Sequence, residues 1–224
     1  MIILEHLNLW LDPLARPGPE AMAVDEWLLE TAQTPVMRVY QWHGDWGSLG
    51  YFGKLAEGRA AFPGLNWVRR WTGGGTVDHR ADWTVSVIVP IGFSLAKLRA
   101  ADSYRTIHES LAEALAQEGI AARLSTGAEE TGAGVCFENP VSHDVIDPMG
   151  RKLAGAGQRR SKRGLLHQGS VAGHCSPEAS ARRATTMAAA MCPHWQSCDF
   201  HPPADEIARK VRERYRHDAW TSRR

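Results

Sequence analysis

The chain has 224 residues, 43% hydrophobic and 23% charged, with a formal net charge of +1. That is enough for one full hydrophobic core with a small satellite lobe, and so weak a net charge offers no field to attract nucleic acid. The start, MIILEHLNLWLDPLARPGPE, is interrupted by Asp12 and Pro13, so neither an export signal nor a membrane span is expected, and the chain reads as cytoplasmic.

In chain order, residues 7–11 read as a short strand and residues 13–19 as a turn-rich connector. Residues 20–31 read as a helix with Met22, Leu28 and Leu29 on one face and Asp25 and Glu26 turned to solvent or a site. Residues 36–42 alternate as a strand, whereas 43–53, HGDWGSLGYFG, read as a glycine-punctuated loop whose aromatics wall a pocket or pack the core. Residues 67–71 enter the Gly73–Gly75 turn as a strand, and 83–90, rich in β-branched side chains, are the clearest strand of all. Residues 104–118 form an amphipathic helix ended by Gly119, and 120–124 return to the sheet. Short extended pieces follow around Val145, Leu153 and 165–171. Pro177 opens an alanine-rich helix, and Ala204 a last one in which Ile207, Val211 and Tyr215 recur every four residues. Without a strict βαβ rhythm, this order predicts an α+β domain: a mixed β-sheet flanked by helices.

The chemistry concentrates in residues 136–171, CFENPVSHDVIDPMGRKLAGAGQRRSKRGLLHQGSV. Cys136 stands sixteen residues before Lys152, which is followed by Ala154-Gly155-Ala156-Gly157. A thiol can hold an acyl group as a thioester, an ammonium can steady its carbonyl oxygen and favour the thiolate, and small residues let a ligand approach the backbone. In RRWTGGGTVDH, residues 69–79, three glycines after a strand can aim N–H groups at an anion beside Arg69 or Arg70, though a plain hairpin turn fits equally well. It is not a Walker loop. His79, His143 and His167 are pocket candidates; none has a carboxylate partner at a fixed spacing, so no proton-transfer role is assigned. Arg159-Arg160 with Lys162-Arg163 forms a basic cluster that attracts an acidic protein or a phosphate, or is simply a solvated turn. The four cysteines contain no CxxC pair and are expected to be reduced; Cys175, Cys192 and Cys198 receive no role. Cys192, His194, Cys198 and His201 fit no familiar zinc spacing, and no metal is expected.

Taken together, RVYQW…SLG, RRWTGGGTVDH, SYRTIHESL, GRKLAGAGQRR and LLHQGSV resemble the lipoate–protein ligase and octanoyltransferase superfamily, which also holds the biotin–protein ligases. The resemblance covers about residues 20–175. It implies the class II synthetase-like biotin/lipoate ligase catalytic fold over residues 1–175, with an acyl tunnel between sheet and helices. Residues 176–224 are expected as a C-terminal helical extension on the same domain. It also implies that Arg70 and Gly73, Gly74 and Gly75 form the ligand-binding loop and that Lys152 contacts the acyl carbonyl with Gly155 and Ala156 beside it. His167, Gly169 and Ser170 of HQGS then border the site, with His79 as a further pocket residue.

Two branches of that superfamily differ in chemistry. Ligases activate free lipoate with ATP and Mg²⁺; octanoyltransferases need no cofactor and pass octanoyl from acyl carrier protein, through a cysteine, to a lysine of a lipoyl-domain protein or glycine-cleavage H protein. In one transferase subgroup the cysteine opens a CFxxPxxxD/E segment, matched here by Cys136-Phe137, Pro140 and Asp144. The triple glycine, with Gly75 where transferases often carry a bulkier residue, is more like the ligases. About fifty residues follow HQGS, little room for the further domain that ligases use. The expectation is therefore an acyltransferase acting through Cys136 and Lys152, with an ATP-dependent lipoate ligase and a non-catalytic acyl- or carrier-binding module as alternatives. The GRGRxGR-like segment of biotin ligases is absent.

Overall fold

In the computed structural model, which describes residues 3–128 and 140–223, one sheet is assembled from strands spread along the whole sequence. It contains β1 (Leu7–Leu11), β2 (Val36–Tyr40), β6 (Asp82–Pro90), β7 (Arg123–Leu124), β8 (Val145–Ile146), β9 (Lys152–Ser161), β10 (Gly164–Ala172) and β11 (Trp195–Ser197), in the order β11-β1-β2-β6-β10-β9-β8-β7. β1 runs parallel to β2 and β11, and the other pairings are antiparallel, so the sheet is mixed. A smaller sheet of β3 (Trp46–Leu49), β4 (Asn66–Arg69) and β5 (Val77–Asp78), in the order β4-β3-β5, lies beside it.

Helices cover both faces. α4 (Ala100–Gln117) and α5 (Pro177–Met191) bury Ile107, Leu111, Leu115, Met187 and Ala188 against Val85, Val87 and Val89 on one side. On the other side α1 (Gly18–Thr31) and α6 (Ala204–Lys210), which runs on through a π turn at Val211–Tyr215, pack Met22, Leu28, Ile207 and Tyr215 against Val36, Ile88 and Leu166. The described residues also hold α2 (Leu55–Ala61), α3 (Ser94–Lys97) and α7 (Asp218–Thr221). β10 is covered on both faces, and Gly164–Val171 are accordingly all buried. None of the described helices is long and apolar enough to cross a membrane.

Three expectations need correction. Residues 43–53 are not all loop, because Trp46–Leu49 pair with β4 and β5; four residues with an internal glycine carry too little alternation to announce a strand. The piece around Leu153 is a full ten-residue strand whose small residues masked it, and its register comes from the hairpin with β10. Asp25 and Glu26 face neither solvent nor an open site. Arg38 of β2 reaches under α1 to Asp25 (2.7 Å) and Asp12 (2.8 Å), while Glu26 meets Arg214 (2.6 Å) and the Tyr215 hydroxyl (2.7 Å). Burial opposes the Arg38 charge, but Asp25, Tyr40 and Asp12 outweigh it and hold its pKa above the usual range.

The C-terminal segment is tied to the small sheet by a buried arginine. Arg69 at the end of β4 donates to the carbonyls of Gly50, Tyr51 and Gly53 on one side and of Trp220, Thr221 and Arg223 on the other. The last carbonyls around α7 thereby find donors, which a helix end otherwise lacks.

Candidate active site

Lys152 opens β9, where its side chain is almost wholly buried and its Nζ lies 2.6 Å from Asp144 Oδ2. Asp144 is itself held from two sides: the Tyr104 hydroxyl of α4 donates to Oδ1 (2.5 Å) and the Val141 amide to Oδ2 (2.8 Å). The same phenol oxygen accepts from the Ala156 amide (2.9 Å), so one tyrosine fixes both the counter-ion of Lys152 and the strand beside it. Gly155 makes the arrangement possible. A Cβ there would stand 2.4 Å from Lys152 Cε and 2.7 Å from Nζ, closer than any real contact allows.

On the α1 face of β9 the glycine loop closes down on the sheet. Gly157 lets the loop approach, since a Cβ would meet the Gly73 carbonyl oxygen at 2.2 Å. Arg70 holds the loop's shape by donating to the Gly73 and Gly75 carbonyls (3.2 and 2.9 Å) and to Ser48 Oγ (2.5 Å). Between loop and sheet runs a narrow slot bordered by Trp42, Arg70, His79, Gly155, Ala156 and Ser170. Its volume is about 20 Å³, space for one or two waters. That is too small for the acyl tunnel which the resemblance implies. A far larger groove of about 1380 Å³, bordered by Trp10, Leu14, Phe200 and Val211, lies by β1, which three strands separate from β9.

His79 does have a carboxylate partner, contrary to the sequence reading: Nδ1 lies 2.7 Å from Asp82 Oδ2, three residues on, and Nε2 lies 2.6 Å from Ser48 Oγ. Trp42 stacks on the imidazole at 3.9 Å, and Ser170 Oγ and Thr84 Oγ1 donate to the same Asp82 oxygen. This Ser–His–Asp row is not arranged as a nucleophile. Ser48 is fully buried and its oxygen is already engaged by Arg70, so the row braces the loop from below.

His167 belongs to the opposite face of β10. Its ring contacts Gln158 and lies 5.4 Å from Tyr104 and 5.3 Å from His108, away from Arg70. Burial pushes the pKa of His108 down to about 4 and that of His167 well below the ordinary value. His108 Nδ1 is bonded to the His143 carbonyl (2.7 Å), where His143 adopts the left-handed region (φ 71°). The structure thus brings Arg70, His79, Gly155, Ala156, Gly169 and Ser170 together around one slot, sets Lys152 against Gly155 and Gly73 against Gly157 without either bordering the slot, and turns His167 away from it. Cys136 lies outside the described residues. Asp144, Tyr104, Ser48 and Asp82 went unnamed as site residues, although Asp144 closes the CFxxPxxxD segment, Ser48 and Tyr104 lie in the SLG and SYRTIHESL motifs, and Asp82 stands three residues after His79.

The basic cluster does not act as one patch. Arg160 donates inward to the Ala96 carbonyl and Ser103 Oγ (both 2.6 Å), Arg159 lies over Trp71, and only Lys162 and Arg163 are fully exposed at the hairpin. Cys175, Cys192 and Cys198 carry free thiols.

Residues 17–211 match the lipoyl protein ligase A/B catalytic domain. The chain belongs to that family. Among curated relatives, an octanoyltransferase LipM from Carboxydothermus hydrogenoformans is 33% identical over 171 residues, covering 72% of this chain and 63% of that protein. The octanoyltransferase LipM of Staphylococcus aureus is 31% identical over 166 residues, covering 67% and 60%. The chain thus matches just under two thirds of these relatives' own length. Among solved structures, an archaeal bi-partite lipoate protein ligase from Thermoplasma acidophilum superimposes with a TM-score of 0.73 at 17% identity, over 97% of this chain and 96% of that one. A lipoate-protein ligase A bound with ATP gives 0.73 at 19% identity, over 97% and 98%. These likenesses establish the family's catalytic fold for this member, a mixed sheet flanked by helices.

Proposed function

We propose that this family member is an acyltransferase that moves an octanoyl or lipoyl group through a Cys136 thioester onto a lysine of a lipoyl-domain protein. The observation that carries the reading is the Lys152–Asp144 pair. Asp144 closes the CFxxPxxxD segment that Cys136 opens, and its partner Lys152 lies against Gly155, which borders the slot. The segment bearing the thiol and the residue beside the acyl site are joined by one buried ion pair. Similarity to octanoyltransferases of the LipM type supports the same choice.

The chemistry is two acyl exchanges. In the first, the Cys136 thiolate forms a bond to the thioester carbonyl of an acyl carrier protein, and the carrier thiolate leaves. In the second, the neutral amine of the acceptor lysine attacks the acyl-enzyme carbonyl, the amide bond forms as the C–S bond breaks, and the amine's proton passes to the departing Cys136 sulfur. The Lys152 ammonium steadies the oxyanion in both steps, a contribution of about 3–4 kcal/mol for a well-placed donor. No cofactor enters this route. The ligase reading, with ATP and Mg²⁺, is separated from it by the mass of the intact chain after incubation with octanoyl-carrier protein. A hydroxylamine-labile octanoyl adduct that Cys136→Ala abolishes is expected. ATP-dependent lipoylation that survives Cys136→Ala would establish the ligase instead.

A further inference from the structure

Four arginines gather where β9 runs out beside the glycine loop. Arg159 lies over the rings of Tyr51 and Trp71 (5.3 and 5.0 Å), Arg214 over Trp71 and Trp220 (4.9 and 5.4 Å), and Arg223 over Tyr51 and Trp220 (4.4 and 5.4 Å). The fourth, Arg69, is buried beneath them with main-chain carbonyls as its acceptors. Among the described residues, Arg214 alone of these four meets a carboxylate, that of Glu26. Arg223 donates to the Tyr51 hydroxyl (2.9 Å). Among the described residues Arg159 has no ion pair, and its Nε is buried without a hydrogen-bond partner. Stacking on rings fixes the guanidinium planes and leaves their N–H edges for an oxyanion. Positive charge gathered without counter-charge is what an anionic ligand completes.

Position indicates which anion. Gly155, Gly157 and Arg159 share one face of β9, and the Lys152 ammonium lies against Gly155. Four residues of strand separate Gly155 from Arg159, about 13 Å. We propose that Arg159 and Arg223, on the Tyr51–Trp71–Trp220 platform, bind the phosphate of the phosphopantetheine arm that presents the acyl thioester of a carrier protein. The proposal rests on the transfer reading above. Such an arm is about four residue-equivalents long and reaches ~14 Å, so a phosphate held at Arg159 brings its thioester to Lys152. The C-terminal segment, through Trp220 and Arg223, then supplies part of the donor site.

The test is a tryptophan-fluorescence titration of the full chain with 4′-phosphopantetheine and with pantetheine. The phosphorylated arm is expected to bind at least about tenfold tighter, the worth of one charge-assisted contact. Arg159→Met and Arg223→Ala should each erase that preference, while Arg212→Ala, an exposed arginine outside the platform, keeps it. Arg223 is half-buried and lies outside any helix or strand, so its variant tests the site even where Arg159→Met does not fold. Equal binding of both arms by the unaltered protein, or a preference untouched in the variants, overturns the proposal. So does ATP that displaces 4′-phosphopantetheine and itself loses affinity tenfold in Arg159→Met, because the phosphate would then be a nucleotide's. A missing Cys136 adduct alongside an Arg159-dependent phosphate preference would sink the transfer reading while leaving the phosphate site standing.

Discussion

Gly155 and Lys152 occupy one space: the hydrogen that glycine carries in place of a Cβ is what allows the lysine Cε and Nζ to lie against the strand. Gly155→Ala would put a methyl group 2.7 Å from the ammonium and 3.1 Å from Asp144 Oδ1, so lysine or strand must shift. The expected result is a drop in kcat on the order of 10²-fold, as for a mislaid oxyanion donor. Stability should fall by only about 1–3 kcal/mol, the usual range for overpacking. Acyl-transfer kinetics beside urea denaturation separate the two effects, and an unimpaired kcat would show that the lysine does not act from this position.

Asp144 and Tyr104 give a second prediction, because they support Lys152 to different degrees. Asp144→Ala strands a buried ammonium and is expected to destabilise the fold by about 3–5 kcal/mol. Tyr104→Phe removes the hydroxyl that bridges Asp144 Oδ1 and the Ala156 amide, and should cost about 1–3 kcal/mol. Denaturant midpoints of the two variants measure the ranking. A Tyr104→Phe protein less stable than Asp144→Ala would mean that the phenol, not the carboxylate, carries the cluster.

Much of this site was legible before any coordinates. Gly73–Gly75, Lys152 and Gly155 sit in ordered motifs, and α4 and β6 announce themselves through period and β-branched content. What stayed hidden depends on partners distant in the chain. Tyr104 meets Asp144 across 40 residues, and Arg69 meets Trp220 across 151; a local pattern carries no trace of either. Asp25 looked like a solvent-facing helix residue because its cation, Arg38, arrives from the neighbouring strand. His79 was a different failure. Asp82 lay three residues away in plain view, but 79–81 turn the chain from β5 back into β6, and a helix-minded spacing rule does not recognise that geometry.

Two buried imidazoles make stability depend on acid. His108 and His167 are held below the ordinary histidine value by desolvation, so between those values the unfolded chain binds protons that the folded chain refuses. The His108 contribution is fully present above about pH 6.5 and is lost as pH falls toward 4, and His167 acts in the same direction. For His108 alone the difference amounts to about 3 kcal/mol at the acid end. Urea denaturation from pH 4.5 to 7.5 should show stability falling with acid, and His108→Gln, which can still donate to the His143 carbonyl, should flatten the slope. A slope unchanged by that substitution would assign the acid lability elsewhere.

The Arg38–Asp25 pair beneath α1 supplies the last prediction, since its two charges are both fully buried and share further partners. Asp25 also accepts from Ser86 Oγ (2.6 Å) and Gln168 Nε2 (2.7 Å), and Thr72 Oγ1, next to the glycine loop, donates to the same Gln168 amide (2.8 Å). Asp25→Ala is expected to destabilise the fold by about 3–5 kcal/mol, chiefly by stranding Arg38. Arg38→Met should cost a similar amount by stranding Asp25. The double variant removes both charges together, and its loss should therefore fall short of the sum of the singles by 1 kcal/mol or more, a coupling that a double-mutant cycle reads directly. Because Gln168 links Asp25 to Thr72, the single Asp25 variant should also raise the KM for the acyl donor. Strict additivity of the two substitutions would show that Asp12 alone compensates Arg38 and that α1 is not pinned to the sheet through this pair.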